Sequence, residues 1–426
     1  MLFLYNLIFP FAFLFFIPGM IIKLIKRGGK KDNYLERFAI FSKSKKEKLT
    51  ALQNTIWIHS VSVGETVIAL NMIKEWKKIE PNKNFVLSTT TTTGQAIAQK
   101  NSPEDVYVIF CPIDFLPFVS KTIKIIQPKL LIIFETEIWP NLINKTKKYG
   151  ANVALVNARM SDKSAKGYKK FAPFFAPTLK KLSLLSVQTE LDAQRFTSIE
   201  NNLQPIVTGN MKFDQTVPAK TVDIDLTQYF GKNNYKIILA ASTHPGEEKL
   251  IASIYKNLKQ NHSNIKLILV PRHAERGPEI ADILKEMQLT FIQKNNNTTI
   301  NQDYCDVLLA DTTGELLSLM TQADIVLMGK SFAGHDEGHN IIEPALLGKL
   351  VITGCTLRNF RYTLKVMQED NAIVTVSSDK DLEDAVNKYI LNKKECLMFG
   401  KRAAEAVKKH TGATERTIKL CKQLLK

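Results

Sequence analysis

The chain has 426 residues, which is too long for one ordinary hydrophobic core and therefore predicts two domains. Its hydrophobic content of 45% and charged content of 23% exclude an intrinsically disordered protein. The formal net charge of +17 indicates an anionic partner: a nucleic acid, an acidic membrane surface or an anionic substrate. The five cysteines form no CxxC pair and no metal-like spacing, so a reducing compartment without disulfides is predicted.

The N-terminal segment predicts a membrane anchor. Residues 1–22 carry no charged side chain and are long enough to cross a bilayer. Basic residues follow this run instead of preceding it, and no cleavage site of small residues is evident, so an uncleaved anchor helix is predicted over residues 1–25. The positive-inside rule then places the rest of the chain in the cytoplasm. Pro10 and Pro18 leave a bent, partly inserted helix as an alternative to a full span.

The segment after the anchor is strongly basic. Between Lys23 and Lys48, ten Lys and Arg residues stand against three Asp and Glu residues. Such a surface suits anionic lipid headgroups. A solvated basic face is the alternative interpretation.

From residue 56 onward, short apolar runs alternate with helix-like segments. This alternation is typical of parallel sheets that carry helices on both faces. The predicted strands are Ile56–His59, Phe85–Ser88, Val106–Phe110, Leu130–Phe134, Val153–Val156, Leu184–Val187, Ile206–Thr208, Lys236–Ala241, Ile265–Val270, Asp306–Ala310, Ile325–Met328 and Leu350–Thr353.

A polar stretch from Asp214 to Asn234 interrupts the alternation and is typical of a linker. The sequence therefore predicts an α/β protein of two doubly wound, Rossmann-like domains, at residues 26–215 and 216–426. The active cleft is expected between them. The segment from Asp381 to Lys426 is predicted to be helical.

The segment from Trp57 to Glu65, which reads WIHSVSVGE, passes from a strand-like run into a helix-like run. Glu65 is therefore predicted at the carboxyl end of a strand and in the first turn of a helix, where open α/β sheets place their chemistry. The helix dipole favours an ionised carboxylate there, which suits a general base. A structural role is the alternative, because Glu is common in the first turn of helices.

Two further sites in the first half carry polar groups. Glu135 and Glu137 follow the predicted strand at 130–134, and side chains two residues apart point to the same side of an extended chain. Lys212, in the run GNMKFD, directly precedes the linker and is expected where the two domains face each other. A solvated lysine is the alternative. The hydroxyl-rich run from Ser88 to Thr93 is predicted to cap a helix.

In the second half, four predicted strands end in polar groups, at residues 242–248, 271–273, 311–315 and 329–344. The carboxyl ends of parallel strands share one edge of a sheet, so these groups are expected to converge. Glycine-containing helix starts bind phosphate through backbone N–H groups, and arginine suits a phosphate or a base edge. Caps and turns explain any one of these groups, whereas the four together predict a nucleotide site.

Other nucleotide and metal signatures are missing from the sequence. It has neither GxGxxG nor GxxxxGK[ST], which argues against a standard dinucleotide fold and a P-loop. His335 and His339 are four residues apart, as in some zinc sites, but the residue next to the first histidine is not Glu and the setting is a glycine-containing loop. No metal site is predicted.

Taken together, these motifs resemble the Kdo transferases of Gram-negative bacteria, the 3-deoxy-D-manno-oct-2-ulosonic acid transferases of lipopolysaccharide biosynthesis (glycosyltransferase family 30). The resemblance runs in order from the anchor to about residue 355 and includes HSVSVGE, FETEIWPN, NARMS, GNMKFD, PRH, TGEL and GHNIIEPA. It implies the two-domain glycosyltransferase B fold, with an acceptor-binding N-terminal domain and a CMP-sugar-binding C-terminal domain. It also implies an inner-membrane enzyme with its catalytic domains on the cytoplasmic face.

The implied reaction is the transfer of Kdo from CMP-Kdo to a lipid A precursor, lipid IVA, with inversion of the anomeric centre. The family needs neither a metal nor another cofactor. By motif, Glu65 is implied to be the catalytic base, and Glu135 and Lys212 to assist the transition state. The residues implied to hold CMP are Pro271, Arg272, Thr313, Gly314, Glu315, Asn340, Ile341, Ile342 and Glu343.

The chain departs from the family pattern in one loop. Glu337-Gly338 stands where the family has a glycine pair, and Ile341-Ile342 replaces a pair that contains proline. The backbone contacts of this loop are therefore less firmly implied than those of Asn340 and Glu343.

Two alternatives remain for the function. One is another membrane-associated glycosyltransferase of the same fold that uses a UDP-sugar donor. The other is a non-catalytic nucleic-acid-binding protein, which is disfavoured because no nucleic-acid module is recognisable and such a protein has no use for Glu65 or Glu135. A phosphorylated lipid acceptor gives the positive charge a specific explanation.

Overall fold

A computed structural model describes residues 2–9, 11, 31–215, 224–232, 234–296 and 305–425. The chain divides into two compact units. Unit 1 comprises Met1–Asp214 and Thr411–Lys426, and unit 2 comprises Gln215–His410. In the described ranges each unit contains one seven-stranded sheet whose neighbouring strands are parallel. This confirms the prediction of two parallel-sheet α/β domains.

Unit 1 has the strand order β3-β2-β1-β4-β5-β6-β7. Its strands are β1 (Thr55–Ser60), β2 (Phe85–Thr89), β3 (Tyr107–Phe110), β4 (Pro128–Phe134), β5 (Asn152–Ala158), β6 (Leu184–Val187) and β7 (Ile206–Val207). Its helices up to residue 214 are α1 (Lys43–Ala51), α2 (Val63–Ile79), α3 (Thr92–Asn101), α4 (Leu116–Ile126), α5 (Pro140–Lys148), α6 (Asp162–Lys170), α7 (Ala172–Leu179) and α8 (Glu190–Thr197), with 3-10 helices at Lys31–Phe38 and Met211–Asp214.

The strand order of this parallel sheet reverses between β1 and β4: β2 and β3 lie on one side of β1, and β4 to β7 lie on the other. Ile58 of β1 pairs with Leu87 of β2 on one side and with Ile132 of β4 on the other. Such a reversal opens a crevice at the carboxyl ends of the two central strands. Glu65 follows β1 and Glu135 follows β4, so both side chains start from this reversal point.

Unit 2 has the strand order β10-β11-β9-β8-β12-β13-β14, with its reversal between β8 and β12. Its strands are β8 (Lys236–Thr243), β9 (Ile265–Pro271), β10 (Phe291–Gln293), β11 (Val307–Leu309), β12 (Ile325–Met328), β13 (Leu350–Gly354) and β14 (Val374–Val376). Its helices are α9 (Thr227–Phe230), α10 (Glu247–Asn261), α11 (Gly277–Glu286), α12 (Leu316–Gln322), α13 (Ile342–Leu346), α14 (Arg361–Glu369), α15 (Asp379–Ile390) and α16 (Lys393–Lys409), with 3-10 helices at Ala274–Arg276 and Lys294–Asn296.

The last helix of the chain, α17 (Ala413–Gln423), requires a correction of the predicted domains. The prediction assigned residues 411–426 to the second domain, whereas they belong to unit 1. Ile418 and Cys421 on the apolar face of α17 are buried in the core of unit 1. Asp214 accepts hydrogen bonds from the backbone of Gly412 and Thr414 and so fixes the start of the helix. The predicted helical character of this segment is confirmed.

The predicted anchor at residues 1–25 lies mostly outside the described residues. Residues 2–9 are helical. Tyr5 donates a hydrogen bond to Asp114, and the amides of Asn6 and Asn141 bond each other. Within the described ranges, no helix combines the length and the apolar character that a membrane span requires.

Candidate active site

Glu65 occupies the first turn of α2, as predicted, and the residue is buried, with 6% of its surface exposed. Its Oε1 accepts hydrogen bonds from the Ser62 hydroxyl at 2.7 Å and from the Ser62 N–H at 3.3 Å. Its Oε2 accepts one bond, from the Val61 N–H at 2.9 Å. Ser62 in return accepts from the Glu65 N–H, which completes a capping box. Glu65 therefore caps the helix and also keeps a lone pair on Oε2 that can accept a proton.

The protonation of Glu65 differs from the expectation based on the helix dipole. Burial raises the pKa of Glu65 above its usual value, and the negative charge of Glu135 acts in the same direction. Hydrogen bonds from Val61 and Ser62 oppose this effect without reversing it. A carboxylate with a raised pKa is a stronger base than an ordinary glutamate, which suits proton abstraction.

Glu135 and Lys212 lie together in unit 1. The Lys212 ammonium is 3.8 Å from Glu135 Oε1, and Arg159 Nε donates to Glu135 Oε2 at 2.9 Å. Burial lowers the pKa of Lys212, while Glu135 and Glu65 raise it and Arg159 lowers it further. The acidic side chains Glu65 and Glu135 and the basic side chains Arg159 and Lys212 thus form one charged cluster at the reversal point of the sheet.

The peptide at Glu135 is not extended, so the geometric argument for Glu135 and Glu137 was wrong. Glu135 has φ 56, in the left-handed region, and begins a turn. Nevertheless Glu137 belongs to the same electrostatic cluster. Burial raises its pKa to about 7, and Glu65 and Glu135 add to that rise. At neutral pH Glu137 is thus divided between its neutral and charged forms.

Asn157 is a positioning residue whose role the sequence did not reveal. Its side chain is fully buried and its Oδ1 accepts from the Met211 N–H at 3.0 Å. This bond fixes the start of the 3-10 helix that carries Lys212. Asn157 has φ 50, and strained left-handed residues cluster at functional sites. Its place in the NARMS motif was the signal available in the sequence.

Other polar residues of the motifs near Glu65 are structural. His59 is fully buried, and its Nδ1 contacts the Ser88 hydroxyl at 3.0 Å. Burial lowers its pKa to about 4, so the ring is neutral. Thr91 caps α3 by accepting from the Gly94 N–H, as predicted for the hydroxyl-rich run.

In unit 2, the residues implied to hold CMP lie along one sheet edge. Arg272 follows β9, is exposed, and donates its N–H to Thr243 of the neighbouring β8. The turn Thr312 to Glu315 follows β11, and Gly314 has φ 92, which favours glycine. Burial raises the pKa of Glu315, but hydrogen bonds from Lys294 and Thr312 outweigh it and leave the pKa lowered. Pro271, Ile341 and Ile342 are buried.

Asn340 and Glu343 form a small hydrogen-bonded unit at the start of α13. The Asn340 amide donates to Glu343 Oε1 at 3.0 Å and to Gln215 Oε1 at 2.8 Å. Its oxygen accepts from the Ile342 N–H at 3.1 Å. Burial raises the pKa of Glu343, against the opposing bond from Asn340. Glu343 Oε2 remains available as an acceptor for ligand hydroxyls.

Glu247 connects the loops at the carboxyl edge of the unit 2 sheet. From the sequence alone it was only one of the polar residues that follow β8. Its fully buried carboxylate accepts four backbone N–H bonds of 2.8 to 2.9 Å. The donors are His244, Lys330, Ser331 and Phe332. The N–H groups of the Gly329 turn therefore bind Glu247, which corrects the expectation that they would be offered to phosphate.

The same turn requires Gly329. A Cβ at this position would lie 2.5 Å from the carbonyl oxygen of Ser242. Ser242 and Lys330 have φ 57 and 60. The ends of β8 and β12 are thus held close together by a glycine, a buried carboxylate and two strained residues.

The prediction that there is no metal site concerns the side chains that could bind a metal ion. Within the described ranges, no group of three or more His, Cys, Asp or Glu residues has an arrangement that could hold a metal ion. His335 Nε2 contacts the Pro245 carbonyl oxygen at 3.0 Å, and His339 Nε2 contacts His244.

The architecture and the site define a class of protein. Two parallel-sheet α/β units of this topology resemble the glycosyltransferase B fold. A glycosyltransferase from Rickettsia africae has a similar structure, with a TM-score of 0.59 over 88% of this chain and 99% of that chain at 14% identity. A UDP-N-acetylglucosamine 2-epimerase gives a TM-score of 0.58 over 87% and 95% at 15% identity. At these identities the likeness concerns the fold alone.

Sequence comparison identifies the family. A family model described as 3-deoxy-D-manno-octulosonic-acid transferase (kdotransferase) matches residues 32–215. The 3-deoxy-D-manno-octulosonic acid transferase of Haemophilus influenzae is 32% identical over 374 residues, which cover 87% of each chain. The corresponding protein of Rickettsia bellii is 32% identical over 92% of this chain and 90% of its own. The chain belongs to the Kdo transferase family of glycosyltransferases, which confirms the resemblance of its motifs.

Proposed function

We propose that the protein transfers Kdo from CMP-Kdo to a lipid A precursor, lipid IVA, and inverts the anomeric centre. Membership of the Kdo transferase family supports the transferred sugar. The single observation that carries the mechanism is the position of Glu65, a buried carboxylate with a lone pair on Oε2 at the reversal point of the unit 1 sheet.

In the proposed step, Glu65 Oε2 accepts the proton of an acceptor hydroxyl. The hydroxyl oxygen forms a bond to the anomeric carbon of Kdo while the bond from that carbon to the phosphate oxygen breaks. CMP leaves with the electron pair of the broken bond, and attack from the opposite face inverts the centre. Burial and the nearby Glu135 raise the pKa of Glu65, so its carboxylate is a better proton acceptor than a solvated one.

Lys212 and Glu135 stabilise the charges of this step. The Lys212 ammonium lies 3.8 Å from Glu135 and interacts electrostatically with Glu65. It offsets the repulsion that would otherwise make ionisation of Glu65 beside Glu135 more costly. We therefore assign Lys212 and Glu135 a role in the transition state, with Asn157 holding the Lys212 segment in place.

The proposed CMP site lies in unit 2. Arg272 is exposed beside the end of β8, where its guanidinium can pair with a phosphate. Glu343 has one oxygen available for ribose hydroxyls. The Thr313-Gly314 turn is exposed at the same sheet edge, beyond β11. A nucleoside monophosphate presents the complementary groups, and we propose that no metal is needed for its departure.

We also propose that the enzyme works at the cytoplasmic face of the inner membrane. The helical residues 2–9 contact the rest of unit 1 through Tyr5 and Asn6. The apolar side chains exposed near the N-terminus are Phe3, Leu4, Leu7, Ile8 and Phe11, with 49% to 81% of their surface accessible. Exposed apolar groups that are followed along the chain by basic residues suit an anionic bilayer that contains the lipid acceptor.

The donor and acceptor are tested by incubating the protein with lipid IVA and competing sugar nucleotides, with mass analysis of the lipid. With CMP-Kdo as the donor, we expect the mass of lipid IVA to increase by the mass of transferred Kdo. The same increase is expected when excess chelator removes free metal ions. Transfer from a UDP-sugar in place of CMP-Kdo would reject this donor and favour the alternative glycosyltransferase. Inhibition by the chelator would reject metal independence.

Glu65→Gln separates the base from the capping box. Glutamine also completes a capping box through the oxygen that faces Ser62, so α2 keeps its start, while the proton acceptor and the bond from the Val61 N–H are lost. We expect transfer to fall at least about a hundredfold, in line with typical general-base contributions, with CMP binding unchanged. The matched control is Ser62→Ala, which removes the cap partner but keeps the carboxylate and should cost about 1 kcal/mol of stability. Near-normal turnover of the glutamine variant would reject Glu65 as the base.

A further inference from the structure

Four of the seven histidines lie together at the carboxyl edge of the unit 2 sheet. His244 follows β8, His273 follows β9, and His335 and His339 belong to the loop after β12. The ring centroids of His339, His335 and His273 lie 5.1, 5.7 and 6.1 Å from that of His244. Three loops thus bring imidazole rings to the point where the strand order reverses, which is where α/β sheets bind ligands.

The geometry of the His244–His339 pair determines how many hydrogens the ring nitrogens carry. Their Nε2 atoms are 2.9 Å apart and their rings are nearly parallel, at 21°. Only one hydrogen fits between two nitrogens at this distance, so one ring donates and the other accepts. In the neutral pair, one Nδ1 carries a hydrogen and the other a lone pair. One added proton gives both Nδ1 atoms an N–H donor and gives the pair a positive charge.

The surroundings keep the pair neutral without a ligand. The titratable and charged groups that face it are Arg272, His273, Lys330, His335, Glu247 and Glu337. Burial, together with the cationic groups among them, lowers the pKa values of His244 and His339 to about 4. Glu337 opposes this at His339, but it is also 3.9 Å from Lys330. The pair is therefore surrounded by the positive charges of Arg272 and Lys330, which disfavour an added proton as long as no anion is bound.

Several of the backbone donors that a phosphate usually finds at such an edge are already bound within the protein. The N–H groups of His244, Lys330, Ser331 and Phe332 are bound to Glu247. The Arg272 N–H is bound to Thr243. An anion beside the histidine pair therefore meets side-chain donors in place of these five N–H groups.

We infer that the His244–His339 pair, together with Arg272 and Lys330, binds an oxyanion of the donor and takes up one proton from solvent as it does so. This inference rests on the proposed function, since CMP-Kdo carries two oxyanions, a phosphate and a carboxylate. No covalent bond changes during the uptake. When the glycosidic bond breaks, the phosphate gains one negative charge, and the protonated pair stabilises it.

The experiment measures proton uptake by titration calorimetry of the full chain at pH 5, about one unit above the pKa of the pair, in two buffers with different ionisation enthalpies. The probes are CMP, free Kdo and cytidine, which offer a phosphate, a carboxylate and no anion. At pH 5 CMP still holds its second proton, which a phosphate monoester loses near pH 6 and can release on binding, so uptake is read as the difference between the parent protein and the pair variants. The variants are His244→Gln and His339→Gln, whose amides replace the ring nitrogen without titrating, and the control is His262→Gln at the end of α10.

A charge-assisted bond raises the pKa of the pair by about one to two units, so we expect the parent protein to take up about half a proton more than the pair variants with CMP, with Kdo, or with both, and no more with cytidine. Uptake with one probe only identifies the phosphate or the carboxylate as the ligand. The two pair variants should lose the uptake and bind the anionic probe about tenfold more weakly, the value of one charge-assisted bond, while cytidine binding stays intact. The His262 variant should match the parent protein.

Equal proton uptake by the parent protein and both pair variants, with both anionic probes, would overturn the inference. Unchanged cytidine binding distinguishes this result from misfolding. The proposed function is tested separately: Kdo transfer without proton uptake rejects the histidine pair alone, and proton uptake with CMP without Kdo transfer rejects the donor and acceptor alone.

Discussion

Replacement of Glu247 by glutamine should destabilise unit 2 and leave unit 1 unchanged. The carboxylate accepts four backbone N–H bonds, two on each oxygen. A glutamine keeps one oxygen and turns an NH2 group toward the other two donors. Two bonds to a charged acceptor are thereby lost, at about 1.5–3 kcal/mol each, so the expected cost is about 3–6 kcal/mol. That is a large share of the 5–15 kcal/mol that stabilises a typical domain.

The distribution of tryptophan allows the two units to be followed separately. Trp57, Trp76 and Trp139 are the three tryptophans of the chain, and all belong to unit 1. Urea unfolding followed by tryptophan fluorescence therefore reports unit 1, whereas far-UV circular dichroism reports both units. With a urea dependence of about 2 kcal/mol per molar, the unit 2 transition should move down by about 1.5–3 M.

The matched control is Glu286→Gln, the same change at an exposed position at the end of α11. It should alter stability by less than about 0.5 kcal/mol. Glu247→Gln should also weaken CMP binding, because the His244 and Lys330 loops lose their shared anchor. A fluorescence transition that moves as far as the circular dichroism transition, or no change in either, would refute this account of Glu247.

Three further outcomes are expected. Asn157→Ala should slow Kdo transfer while CMP affinity stays normal, because the backbone that carries Lys212 loses its acceptor; equal loss of CMP affinity would contradict this role. Ile418→Ala should lower the fluorescence-detected stability of unit 1 by about 2–4 kcal/mol, as for other buried aliphatic truncations, and a shift confined to circular dichroism would show that α17 supports unit 2 instead. Histidine titrates at 6.5 when unfolded and at about 4 in the folded pair, so the unfolded chain binds more protons between these values. Unit 2 should therefore lose stability as the pH falls from about 6.5 to 4, and His339→Gln should reduce this loss in urea titrations; an identical pH dependence in both proteins would argue against the lowered pKa.

Sequence reasoning located most of the sheet framework because buried parallel strands are continuous apolar runs. All twelve predicted strands overlap observed ones. The two that were missed, β10 and β14, have only three residues each and partly exposed side chains, so their apolar pattern is too short to detect. The assignment of α17 failed because an amphipathic pattern shows that a helix covers a core without showing which core it covers.

The site was predictable where chemistry follows from a local motif. Glu65 and Glu135 follow the two strands at the sheet reversal, as their positions after predicted strands indicated, and Glu135 lies beside Lys212. The role of Glu247 was not predictable, because three of its four partners lie 83 to 85 residues away along the chain. The histidine pair joins residues 95 positions apart, and only the folded sheet edge brings them together.

The return of the chain to unit 1 at residue 411 makes unit 2 an insertion between two parts of unit 1. During synthesis, every residue of unit 2 leaves the ribosome before α17 does. Until translation ends, part of the core of unit 1 therefore stays uncovered, because Ile418 and Cys421 are not yet available to pack against it. Domains usually fold in the order in which they are made. Here unit 2 is expected to reach its complete fold first, and a released chain that ends at residue 410 should contain a finished unit 2 and an unfinished unit 1.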